Sequence, residues 1–219
     1  MGKNSILTDK QKIVLEEISR NKTICDRFYF SGGTALSEFY LQHRYSDDFD
    51  FFSLQKFDQQ MIFSFLTELS KKFNFSFNSQ FIEPVYSCAL KFPGKYLLKL
   101  DWAYYPYGRV EKGGKFGNLD VDSLLDISVN KLLSLTQRTE VKDFADLFFL
   151  LKKFSVWDLI EGVKKKFKME IEPLTLASHF VLAEDFDFLP KMIVPLTLTD
   201  LKNFFLLQAK NLGKTTVVR

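Results

Sequence analysis

The sequence predicts an α+β fold: a mixed β-sheet with flanking helices, followed by a helical C-terminal half. Three observations carry this. Strand-like runs fill 73–81, 85–92 and 96–104, punctuated by Glu83-Pro84 and Pro93-Gly94. From Val121 onward the apolar spacing is helical almost to the end. No low-complexity linker separates the two patterns, so the expected domains are residues 1–120, an α/β core with an N-terminal helix, and residues 121–219, a helical region packed on that core.

The elements follow in order. Thr8 or Asp9 caps a first helix through Arg20, with Ile13, Val14 and Ile18 on one side. Phe28-Tyr29-Phe30 is a short strand ended by Ser31-Gly32-Gly33, and Thr34 to His43 reads as a helix with Leu36, Phe39 and Tyr40 at core spacing. A second short strand covers Phe49 to Phe52, and an amphipathic helix covers Asp58 to Lys72. After the three longer strands, Gly108, Gly113, Gly114 and Gly117 mark an irregular stretch or loose hairpin. Helical breaks fall near Arg138, Phe154, Met169 and Pro190, and the closing GKTTVVR reads as a mobile tail.

Composition narrows the class. The 219 residues are 46% hydrophobic, ordinary for a packed domain, and the 25 phenylalanines read as a compositional habit. A net charge of +3 gives no global drive toward nucleic acid. The densest basic run, Lys164, Lys165, Lys166 and Lys168, reads as a solvated helix face rather than an RNA-contacting patch. Cys25 and Cys88 suit neither a disulfide framework nor a metal pair, so reduced thiols are expected. No stretch suits a signal peptide or a membrane span, and Gly2 resembles an acylation site only superficially; a cytoplasmic protein away from membranes is the expectation.

Two segments carry chemistry. In SGGTAL, positions 31–36, glycines between strand and helix allow close backbone approach, and the first helical amides suit a phosphate. An ordinary tight turn with Thr34 near the cap is the plain alternative. In RYSDDFDFF, positions 44–52, a strand beginning at Asp48 would put Asp48 and Asp50 on one face, where a divalent cation would relieve their repulsion. Asp47 then lies on the other face or in the loop. In YLLKLDWAYY, Asp101 interrupts an apolar strand; it either lies on a wet face beside Lys99 or adds a third carboxylate. Arg44 could reach a phosphate, or pair with Asp47 or Glu38. Ser31 and Ser46 suit turns and caps better than nucleophilic roles, and His43 and His179 lack the companions of a metal site or triad. The aromatics from Trp102 to Tyr107 could stack on a base, but suit sheet packing better.

Together, SGGTALSEFYLQHRYSDDFDFF and NKLLSLTQRTEVKDFADLFFLL resemble the AbiEii/AbiGii toxin family of nucleotidyltransferases. That family is marked by Gly-Gly-Thr-Ala-Leu, Arg-x-Ser/Thr-x-Asp-hydrophobic-Asp, a downstream lysine and a Lys-Asp-x-x-Asp-Leu helix, here spread over about positions 28 to 151. The resemblance implies a DNA-polymerase-β-like nucleotidyltransferase fold and transfer of a nucleoside monophosphate from an NTP. It implies that Gly32, Gly33 and Thr34, with Ser31 and Arg44 beside them, seat the triphosphate, and that Asp48, Asp50 and Asp101 hold Mg2+. Lys131 would neutralise the triphosphate, Asp143 would join the catalytic set, and Lys142 and Asp146 would contact nucleotide; a salt-bridge network is the alternative for these charges. Arg138 falls on the same signature, and Lys131, Arg138 and Lys142 would share a stripe if no break occurs near Thr139. An RNA acceptor, possibly tRNA, and a cognate antitoxin are implied partners; a small-molecule acceptor or a catalytically silent nucleotide-binding module are the alternatives.

Overall fold

A computed structural model describes residues 5–217. Within it the chain divides into two compact units. The first comprises the residues through Tyr40, Ser46–Gly108 and Lys112–Ser123; the second comprises Leu41–Tyr45, Arg109–Glu111 and everything from Leu124.

The first unit opens with α1 (Asp9–Arg20), where Thr8 and Gln11 form a reciprocal capping box that satisfies two otherwise orphaned amides. Helix α2 (Lys22–Cys25) follows, then β1 (Tyr29–Ser31), α3 (Gly32–Leu36) and a π-helical turn over Ser37–Leu41. The predicted 34–43 helix is therefore a short α segment that loosens into a wider turn. Strand β2 (Phe49–Ser53), helix α4 (Gln59–Phe73) and the antiparallel strands β3 (Ser76–Ile82), β4 (Val85–Phe92) and β5 (Tyr96–Tyr104) come next. The glycine-marked stretch closes with the hairpin β6 (Lys115–Phe116) and β7 (Leu119–Val121).

All seven strands form one sheet in the order β3-β4-β5-β2-β1-β7-β6. Strand β2 runs antiparallel to β1 and parallel to β5. Strict alternation orients β2: Phe49, Phe51 and Ser53 are buried, while Asp50 and Phe52 take the opposite face. Phe51 stacks on Trp102 with ring centroids 4.3 Å apart. Burying each such phenylalanine stabilises the strand by roughly 1.5–3 kcal/mol, ample to hold an aspartate in a position strands disfavour.

The second unit is helical: α5 (Leu124–Gln137), α6 (Val141–Leu150), α7 (Val156–Phe167), α8 (Pro173–Val181) and α9 (Leu198–Val217), with a 3-10 turn over Leu182–Asp185. Phe144, Phe180 and Phe205 are fully buried and meet edge-to-face or tilted at 4.9 to 5.2 Å. The segment before β2 is sewn into this unit: Tyr45 N–H donates to the Lys191 carbonyl at 2.9 Å, and Ile193 N–H donates to that of His43 at 2.8 Å.

Several expectations change. The GKTTVVR segment continues α9 through Val217 instead of forming a tail; Val218, Arg219 and Gly2 lie outside the described residues. The lysine run is not one solvated face, because Lys166 is buried and its ammonium pairs with Asp126 at 2.7 Å, while Lys164 bridges to Glu170. Asp126 also accepts the backbone N–H groups of Val110 and Glu111, which draws Arg109–Glu111 into the unit. Both cysteines are free thiols. Among the described residues no helix is long and apolar enough to cross a membrane.

Candidate active site

In the first unit, the turn after β1 and the start of β2 are built around each other. Gly32 has φ +75°, a left-handed conformation that glycine alone adopts without strain. A Cβ there would lie 2.8 Å from the Asp50 Cβ and would overlap its carboxylate. Gly32 thus admits the aspartate itself. Thr34 donates its hydroxyl to the Asp48 carbonyl, tying the helix start to the residue before β2. Because that carbonyl is taken by a side chain, the sheet ladder begins at Phe49 and Asp48 stands exposed ahead of the strand, not on it as expected. Asp47 is exposed in the same loop; Gln11 Nε2 holds the Ser46 and Asp47 carbonyls at 3.0 and 3.1 Å.

Asp50 and Asp101 are register partners on the parallel strands β2 and β5. Asp101 is not a bare wet-face residue: it accepts from Ser87 Oγ and from the Lys99 ammonium, both at 2.6 Å. Partial burial works against the Lys99 charge, but Asp101, then Asp48 and Asp50, outweigh it and raise the lysine above its ordinary value. All three carboxylates therefore act on one ammonium.

Ser31 is fully buried and donates to Asp122 Oδ2 at 2.9 Å. The hydroxyls of Ser31 and Thr34 are therefore both engaged by other groups of the first unit. What this turn offers a phosphate is backbone: Ser31 does not cap α3 with its side chain.

In the second unit, α5 ends at Gln137 and α6 starts at Val141, so Lys131, Arg138 and Lys142 do not share a helical stripe. Asp143 and Asp146, three apart on α6, face the same way. Lys131 Nζ lies 2.7 Å from Asp143 and 2.6 Å from Asp146. Arg138 binds Asp143 at 2.8 Å. Arg44 grips Asp146 with two prongs at 2.6 and 2.8 Å, a partner the sequence did not suggest, and the buried His43 places Nε2 2.7 Å from the same carboxylate. Lys142 is half-buried beside the α6 start.

Burial alone would push both carboxyls up. Lys131, helped by Arg138 at Asp143 and by Arg44 and His43 at Asp146, reverses this, leaving Asp143 below and Asp146 well below the usual carboxylate range. Burial opposes the Lys131 charge, and Asp146 and Asp143 overcome it, so its ammonium is held above the ordinary value. Lys131, Arg44 and Arg138 thus converge on the buried Asp143 and Asp146 as a salt-bridge network.

Among the described residues no three acids, histidines or cysteines stand together in a way that would hold a metal ion. The expected Asp48, Asp50 and Asp101 cluster is thus not closed, because Asp101 is drawn to Ser87 and Lys99 while Asp50 rests against Gly32. The donor set nonetheless fits a hard divalent cation: all are carboxylate oxygens, and two come from register-paired residues. Gln11, Ser87 and Asp122 were not singled out in the sequence, and His43 was named without its partner Asp146. Only Gln11 left a signal, as the third residue of the α1 capping box.

A seven-stranded mixed sheet carrying this glycine turn and paired acids defines a nucleotidyltransferase-like fold. The profile of the family described as "Nucleotidyl transferase AbiEii toxin, Type IV TA system" matches residues 14–205. The chain belongs to that family, and its enzyme class is nucleotidyltransferase. A relative named "Uncharacterized protein aq_aa25", from Aquifex aeolicus (strain VF5), is 34% identical over 186 residues, spanning 82% of this chain and 84% of its own. Two crystal structures share the fold. A candidate nucleotidyltransferase from H. pylori superposes with a TM-score of 0.60 at 18% identity, covering 95% of this chain and 97% of its own. JHP933 from Helicobacter pylori gives 0.56 at 17% identity, covering 95% and 94%.

Proposed function

We propose that this protein moves a nucleoside monophosphate from an NTP to a hydroxyl of an RNA acceptor, with tRNA the leading candidate, and releases pyrophosphate. In this reading it is the toxin of a type IV toxin–antitoxin pair, with a cognate antitoxin as partner. The observation that carries it is the register pairing of Asp50 with Asp101 beside the Gly32 turn, which juxtaposes two hard-oxygen donors and a backbone phosphate seat.

Asp48, Asp50 and Asp101 would hold magnesium, which supplies charge neutralisation at the phosphates and activation of the acceptor oxygen. Gly32 keeps the Asp50 carboxylate close to the turn, and Thr34 fixes the backbone at Asp48. The reading gives backbone amides of Gly32, Gly33 and Thr34 the phosphate oxygens. It gives Lys131, as the family resemblance implies, the negative charge that grows on the departing pyrophosphate. Asp143 and Asp146 then orient Lys131 rather than react themselves.

The test is a mass-resolved transfer assay with each NTP on total cellular RNA and, separately, on hydroxyl-bearing small molecules such as aminoglycosides. RNA gaining one nucleotide's mass supports the proposal. Transfer to the small molecule alone replaces the acceptor, and nucleotide binding without turnover on either makes the protein a silent binding module.

A further inference from the structure

We infer that Lys99 is a built-in counter-ion for the acid set, occupying the position of positive charge until a metal–nucleotide unit displaces it. This rests on the magnesium reading above and adds a residue that the family signature does not contain. Lys99 and Asp101 are two apart on β5 and so share a face. The Lys99 ammonium folds back onto Asp101 Oδ2 at 2.6 Å and lies in the field of Asp48 and Asp50 as well.

Two properties make this a displaceable contact. The lysine side chain is 45% exposed, so it can leave into solvent without opening the core, and its four-carbon stem is flexible. Asp101 remains held by Ser87 at 2.6 Å when the ammonium departs, so one of its oxygens keeps its direction. The arrangement has a consequence for order of binding. A bare divalent ion must compete with a tethered ammonium and is admitted weakly. A metal that arrives with a triphosphate brings compensating negative charge and further oxygens, and the displaced ammonium is then a cation near an anionic substrate.

Binding of Mn2+ alone, followed by the loss of its free-ion electron paramagnetic resonance signal, tests this on the full-length protein. Lys99→Met removes the charge and keeps the stem, Lys99→Gln repeats the removal with a polar end, and Lys99→Arg retains the charge. Asp50→Asn reports whether the ion sits at the acids. Expected are Mn2+ affinities about tenfold tighter for the Met and Gln variants, near wild type for Arg, and strongly weakened for Asp50→Asn. If Met and Gln bind as wild type does while Asp50→Asn loses binding, the metal reading stands and the counter-ion role is overturned. Equal tightening by Lys99→Arg overturns it too, because charge is then not the cause. Binding that ignores Asp50→Asn, or no binding by any of these proteins, removes the metal reading and the inference with it.

Discussion

The Asp50 carboxylate rests against the α-carbon of Gly32, in the space any side chain at position 32 would need. The glycine is therefore required twice, for its left-handed backbone and for this approach. Gly32→Ala is expected to lower stability by about 1–3 kcal/mol and to cut transfer more than that loss explains, since Asp50 must move. Urea denaturation and transfer rates at a temperature where the variant remains folded separate the two effects.

Removing the acids themselves is a cleaner cut. Asp50→Ala and Asp101→Asn should each lower nucleotide transfer on the order of 10²-fold or more while leaving far-ultraviolet circular dichroism unchanged. A fully active Asp50→Ala protein defeats the assignment of that strand as catalytic.

Asp146 offers the opposite outcome, a stability phenotype first. It is fully buried and bound by Lys131, Arg44 and His43, so Asp146→Ala removes a carboxylate that two buried cations share. A loss of roughly 3–5 kcal/mol is expected, read as a lowered urea midpoint. Arg44→Met should cost less, because Lys131 continues to balance the carboxylate.

The pH dependence follows from the same groups. Asp126, Asp143 and Asp146 all ionise below the ordinary carboxylate range in the folded protein. A carboxyl depressed in this way adds stability that is complete above its unfolded value, about 3.9, and is lost as pH falls toward the folded value. Unfolding free energy should therefore be flat from neutral pH to about 5 and decline steeply below about 4. Asp146→Asn should flatten that decline, and an unchanged acid limb in the variant would contradict the assignment.

Much of the architecture was legible because it is periodic. The β2 alternation of Phe49 and Phe51 with Asp50, the Thr8 cap of α1 and the three antiparallel strands can each be read within about ten residues. What stayed hidden depends on contacts between distant residues. Nothing local ties His43 and Arg44 to Asp146 across about a hundred positions, or Ser31 to Asp122. The lysine run misled for a related reason: charge density suggests a wet face, whereas Lys166 is neutralised by Asp126 forty residues earlier. Asp48 escaped its expected strand because a threonine hydroxyl, not a ladder partner, takes its carbonyl.

The second unit is assembled from three separate stretches of chain, and this limits how the protein can be cut. A fragment starting at Leu124 would lack Arg44 and His43, the grip on Asp146, and would lack the Val110 and Glu111 amides that satisfy Asp126. Its interior would hold Asp146 with Lys131 alone and Asp126 with Lys166 alone among these partners. The helical half is thus no detachable cassette: excision or grafting at residue 123 should not yield an autonomous helical piece, and that half cannot complete its interior without chain made before it.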